Sequence, residues 1–95
     1  MEKRIGDMYL AASYLSYNFS LAKIDKADPT RQRFIFTDES KPKRIFIVDN
    51  DGIMMTMENP TLEDVEVKFL SKQLLYPPSY PDSLRRIKAS IHSAE

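Results

Sequence analysis

Ninety-five residues allow one domain, 1–95, and 42% hydrophobic against 29% charged side chains supply a core, which excludes a two-domain or compositionally disordered chain. Fourteen basic and fourteen acidic residues cancel, which argues against a polyanion-binding tail and against an acidic mimic of DNA. Without cysteine there is no disulfide, thiolate metal site or cysteine nucleophile; one histidine cannot build a metal cage; and no apolar run nears the roughly 18 residues of a membrane span, so a soluble protein of the reducing cytoplasm is expected.

Asp7 reads as an N-cap, and Met8, Ala11, Ala12 and Leu15, widened by Leu10, Tyr14 and Tyr17, repeat at helical spacing, which predicts a helix over 7–18. Asn18 tolerates the left-handed conformation that ends a helix, and Phe19 can fold back on the last turn. A strand follows, with Phe19 and Leu21 on one face and Ala22 and Ile24 on the other, up to the turn residues Asp28, Pro29 and Thr30. Residues 33–37 alternate, Phe34 and Phe36 opposite Arg33 and Ile35, and 44–48 form a strand apolar on both faces. Asp49-Asn50-Asp51-Gly52 ahead of Ile53, Met54, Met55 and Met57 is a hairpin signal, because these residue types reach the positive φ that a tight turn needs. A meander of three to four antiparallel strands is expected.

Thr61 opens a second helix as N-cap, with Leu62, Val65, Phe69 and Leu70 as its buried stripe. Val65, Val67 and Phe69 also alternate like a strand, but Glu63 and Asp64 suit the positive end of a helix. Tyr76-Pro77-Pro78 predicts an extended connector, after which Ser79 caps a last helix whose Leu84, Ile87, Lys88 and Ile91 share a face. The fold class is therefore α+β: an N-terminal helix, the meander and two C-terminal helices.

Gly6-Asp7-Met8-Tyr9-Leu10-Ala11-Ala12 and Leu84-Arg85-Arg86-Ile87-Lys88-Ala89-Ser90-Ile91-His92 together resemble a family of short proteins from bacteria, archaea and their viruses. That family has a D-x-Y-L-A opening helix, an R-x-x-F-x-F strand, matched here by 31–36, and an L-R-x-L-K-S-x-I closing helix; residues 49–60 are longer than its usual linker. The family has no assigned activity, so the resemblance implies a setting, a virus or mobile element, and no catalytic residues.

Four constellations bear on function. Asp49, Asp51 and Glu58 fall at calcium-loop spacing, but Ile47 occupies the first ligand position and strands flank the loop, so a plain hairpin turn is the better reading and no metal or other cofactor is expected. Pro77-Pro78-Ser79-Tyr80 spells a polyproline II ligand, against which stands its use as a helix connector with Tyr76 and Tyr80 packed on the core. Arg31, Arg33, Lys43 and Arg44 with Phe34, Phe36 and Phe46 on the strands, together with Arg85, Arg86 and Lys88 on the last helix, could hold nucleic acid, although the aromatic and cationic faces oppose one another. The strand at 53–57 is apolar on both faces, where an edge strand should carry charge, so a second layer of the same chain or another protomer is expected to cover it. With no acid–base pair to nominate, the sequence reads as a non-catalytic interaction module. It would bind a protein partner, such as a host defence or regulatory complex, and itself as a homodimer, through Met54, Met55, Met57, Tyr76 and Tyr80. A small nucleic-acid-binding protein is the alternative.

Overall fold

The computed structural model describes residues 1–27 and 32–92, the side chains of 91 and 92 excepted. The turn expected at 28–30, Arg31, and the Ile91 and His92 side chains lie outside the described residues. The element order is β1 (Glu2–Ile5), α1 (Met8–Ser16), β2 (Ser20–Asp25), β3 (Arg33–Thr37), β4 (Arg44–Val48), β5 (Met54–Glu58), α2 (Leu62–Leu70) and α3 (Tyr80–His92). The class is α+β as expected, but the strands form two sheets rather than one meander.

The Asp7 carboxylate caps α1 by accepting from the Tyr9 and Leu10 N–H groups at 2.8 and 3.3 Å. Asn18 ends it at φ 69°, which lets the Phe19 N–H reach back to the Tyr14 carbonyl, 3.1 Å, and sets the Phe19 ring edge-on to Tyr14 at 5.4 Å. Burial extends around the helix to Leu10, Ala11, Ala12, Ser13, Tyr14 and Ser16, so α1 is the enclosed centre of the molecule rather than a one-sided surface helix. Its small residues let α3 lie along it, with Ser83 and Ile87 buried at the contact, and the buried Ser13 and Ser16 hydroxyls donate to carbonyls of their own helix, each at 2.9 Å.

The three-stranded antiparallel sheet has β3 between β1 and β2. β1 was not expected: three of its four residues are charged, and only Ile5, opposite Phe34, reaches the core. Because β1 and β2 occupy both edges of β3, β4 cannot pair with β3. Ser40, bonded to Ser20 and to the Asn18 carbonyl at 2.6 Å, turns the chain away before β4 begins. Leu21 and Ile24 share the core face, opposite Phe36 and Phe34, rather than opposing each other, because the strand bulges at Ala22 and shifts the alternation by one residue. On the other face Ile35 is buried between Arg4 and Lys23, its partners on either side.

β4 and β5 form a separate antiparallel hairpin. Its turn is the expected one, with Gly52 at φ 81° and the Asp49 carboxylate accepting from the Asp51 and Ile53 N–H groups, both at 2.9 Å. The second edge of β4 is covered by residues 73–75, through Val48 N–H to Gln73 and Leu75 N–H to Phe46, both 2.8 Å. Residues 62–70 are helix, opened by a capping box in which Thr61 and Asp64 exchange hydrogen bonds of 2.9 and 3.0 Å. Of its expected stripe, Leu62 and Val65 are buried and Phe69 half-buried, while Leu70 is exposed, because the helix extends past the elements it covers. On α3, Lys88 is exposed rather than part of the buried face. The Ser79 hydroxyl turns to α1, donating to the Ser16 carbonyl at 3.4 Å, and no N–H of the described first turn of α3 reaches it, so its expected capping role is not taken up.

Candidate protein-binding surfaces

Two tyrosine hydroxyls position the candidate surfaces. Tyr17 donates to the Leu75 carbonyl, 2.7 Å, and accepts from the Phe46 N–H, 3.2 Å, fixing the connector and β4 to α1. Tyr14 donates to the Leu62 carbonyl, anchoring the start of α2. Burial pushes both phenols above the usual tyrosine range.

With the connector so placed, Tyr76 and Tyr80 stack at 4.4 Å between ring centres. They form one wall of an open groove of about 590 Å³, completed by Tyr9 from α1, Phe69 and Leu70 from the end of α2, and Leu74 and Lys72 from the chain that leaves it. Burial raises the Tyr80 phenol, with Tyr76, Tyr9 and Asp7 adding to the shift. Leu70 is 67% exposed and Lys72 sits at φ 62°, in left-handed backbone that a lysine seldom adopts. Thus Pro77 to Tyr80 do not hang free as a ligand: the Tyr80 N–H bonds the Pro77 carbonyl at 2.9 Å and the segment walls a receptor-like groove. The sequence singles out Tyr76 and Tyr80 and expects both packed on the core; Tyr80 does pack against it, whereas Tyr76 is 47% exposed, because it lies on the open side of the groove. Tyr9 carried a weak signal, an aromatic off the buried stripe of its helix, whereas Lys72 carried none, because its place depends on how α2 ends.

On the hairpin, Ile45 and Ile47 are buried with Met57 packed against them, and Met55 lies on the same face but beyond the core's cover. The opposite face presents Phe46, 42% exposed, and Met54, 65% exposed, with Thr56 and an Arg44–Glu58 ion pair of 3.4 Å. The structure therefore separates the five residues expected to bind protein into two places: the methionines at the hairpin and the tyrosines at the groove.

The cationic residues do not converge. Arg33 is half-buried, its guanidinium against Gly6 and donating to the Gln32 carbonyl; Arg44 pairs with Glu58; Arg85 pairs with Asp82 at 2.9 Å; Arg86 and Lys88 are exposed on α3, and Lys43 is exposed just before β4. Phe34 and Phe36 are buried and offer no ring to a base. Asp49 spends its carboxylate on the hairpin turn, and Glu58 stands at the other end of the hairpin, so the calcium-loop spacing does not become a cluster. Among the described residues no group of three acidic or histidine side chains converges, and no helix is long and apolar enough to cross a membrane. Compared with known proteins, the chain matches no family model, no curated protein and no solved structure.

Proposed function

We propose that the protein is a non-catalytic binding module whose tyrosine-walled groove takes an apolar segment of a partner protein that also carries an acidic group. The observation that carries this reading is the groove itself: Tyr9, Tyr76 and Tyr80 converge from α1, the connector and the start of α3 on an opening that leaves Leu70 in solvent. Tyrosines give large contact area for little loss of side-chain freedom, and an open concavity of aromatic and aliphatic residues is where a peptide gains most from leaving water. Lys72, the charged residue lining it, sets the preference for an acidic neighbour. In a virus or mobile element, the setting implied by the resemblance of residues 6–12 and 84–92, such a module would act by occupying a host defence or regulatory protein.

Selection of a random peptide library on the whole protein tests this. Enriched peptides should combine leucine or aromatic residues with aspartate or glutamate, Tyr80→Ala should abolish enrichment, and Lys72→Glu should turn the preference towards basic peptides. Enrichment that survives Tyr80→Ala, or a preference indifferent to Lys72→Glu, would overturn the reading.

A further inference from the structure

Among the described residues three strand edges carry no paired strand, and they are treated differently. β1 carries Glu2, Lys3 and Arg4 in sequence, and β2 is broken by the Ala22 bulge and carries Lys23 and Asp25. These are the devices by which natural sheets discourage further pairing. β5 has no bulge and only a terminal charge: Met54-Met55-Thr56-Met57 is regular and uncharged, and Glu58, at its end, pairs with Arg44. Its outward groups can be assigned by alternation. Phe46 and Val48 turn their backbone towards Gln73 and Leu75, so Ile45 and Ile47 bond β5, and the N–H and C=O groups of Met54, Thr56 and Glu58 face solvent.

We infer that β5 is the seam of a homodimer, in which two copies pair antiparallel about a two-fold axis through Thr56. This is independent of the groove. A second copy fits the edge because the strand matches itself in this register. Thr56 faces Thr56, each Met54 faces Glu58 of the other copy, and about six interchain hydrogen bonds form, two for every facing pair of outward residues. On the core side Met55 meets Met57 of the second copy, which extends the layer begun by Ile45 and Ile47 and covers the methionine left beyond the core. The two Glu58 carboxylates lie at opposite ends of the seam, each beside its own Arg44. Centring the axis on Met55 or Met57 pairs fewer residues, and centring it on Glu58 sets two carboxylates face to face. Pro60 and the turn at Asp49 to Gly52 bound the strand and hold the register.

Sedimentation equilibrium of the full chain at tens to hundreds of micromolar should give twice the 11.0 kDa chain mass. Thr56→Pro removes only an outward N–H, so it should yield a monomer with unchanged circular dichroism; should it fail to fold, Met54→Lys serves the same purpose. Thr56→Cys is the register test, since facing residues of such a pair lie about 5.5 Å apart at Cα, within disulfide reach. With no native cysteine in the chain, it should cross-link at least tenfold faster than Asn50→Cys on the exposed turn. A wild-type chain that sediments as a monomer throughout overturns the dimer. A dimer that survives both edge variants, or in which Thr56→Cys links no faster than Asn50→Cys, overturns the seam. The peptide selection on the groove stands or falls separately.

Discussion

Tyr14 and Tyr17 join side chains to backbone carbonyls 48 and 58 residues away, so their hydroxyls, and not only their rings, hold the core together. Tyr14→Phe removes the hydroxyl donor from the Leu62 carbonyl, and Tyr17→Phe removes the partner of the Leu75 carbonyl and of the Phe46 N–H. Each should lower stability by about 1–2 kcal/mol, seen as a lower urea midpoint at unchanged slope. The same phenols set the alkaline limit. Burial raises both above their ordinary 10.0, and hydrogen bonds from Lys3, first to Glu66 and then to Glu63, raise that ammonium above 10.5. The folded chain therefore keeps protons that the unfolded chain has already released. The stability they contribute is complete below pH 10.0 and is lost as pH rises through the raised folded values, so unfolding followed by circular dichroism should coincide with the last step in phenolate absorbance, that of the buried tyrosines. A last absorbance step separate from unfolding would contradict this. Both tyrosines were readable as buried, from their place on the helical stripe, but their acceptors were not: a hydroxyl's partner 48 residues on depends on the folded path.

At the scale of elements, local chemistry was legible where one residue acts on its own neighbours. Asp7, Asn18, Thr61 and Gly52 do what their side chains or backbone freedom imply, and Asp64 completes the box begun by Thr61. Thr61→Ala should therefore cost about 1 kcal/mol, measured by thermal or urea unfolding. The elements that escaped notice depend on distant partners. β1 has one apolar residue in the core and exists because β3 has an edge to fill, and the Ala22 bulge, which reverses half of β2, answers to the register of Phe34 and Phe36. Ser79 looked like a cap, but its hydroxyl turned to the helix packed beside it. Lys72 is a further case: its left-handed backbone suits glycine, so Lys72→Gly should raise stability by about 0.5–1 kcal/mol while weakening the groove's hold on acidic peptides. A variant both more stable and equally good at binding would separate the lysine from the groove's chemistry.

At the scale of the molecule, the α+β class followed from pattern, whereas the division into a three-stranded sheet and a hairpin did not, since nothing in 33–48 says which edges will be taken. The groove was legible as two tyrosines and no more, because its walls come from α1, α2, the connector and the start of α3. The enclosure of α1 has a consequence in time. Its partners are the elements at the far end of the chain, through Ser16 with Ser79 and the long contact with α3, so loops of some sixty residues must close before the helix is covered. Folding should then be slow for so small a protein, in milliseconds to seconds rather than microseconds, with a single exponential in stopped-flow refolding. On the ribosome, α1 emerges some sixty residues ahead of α3. Until α3 follows, the face of α1 that Ser83 and Ile87 cover in the finished fold is open to a chaperone.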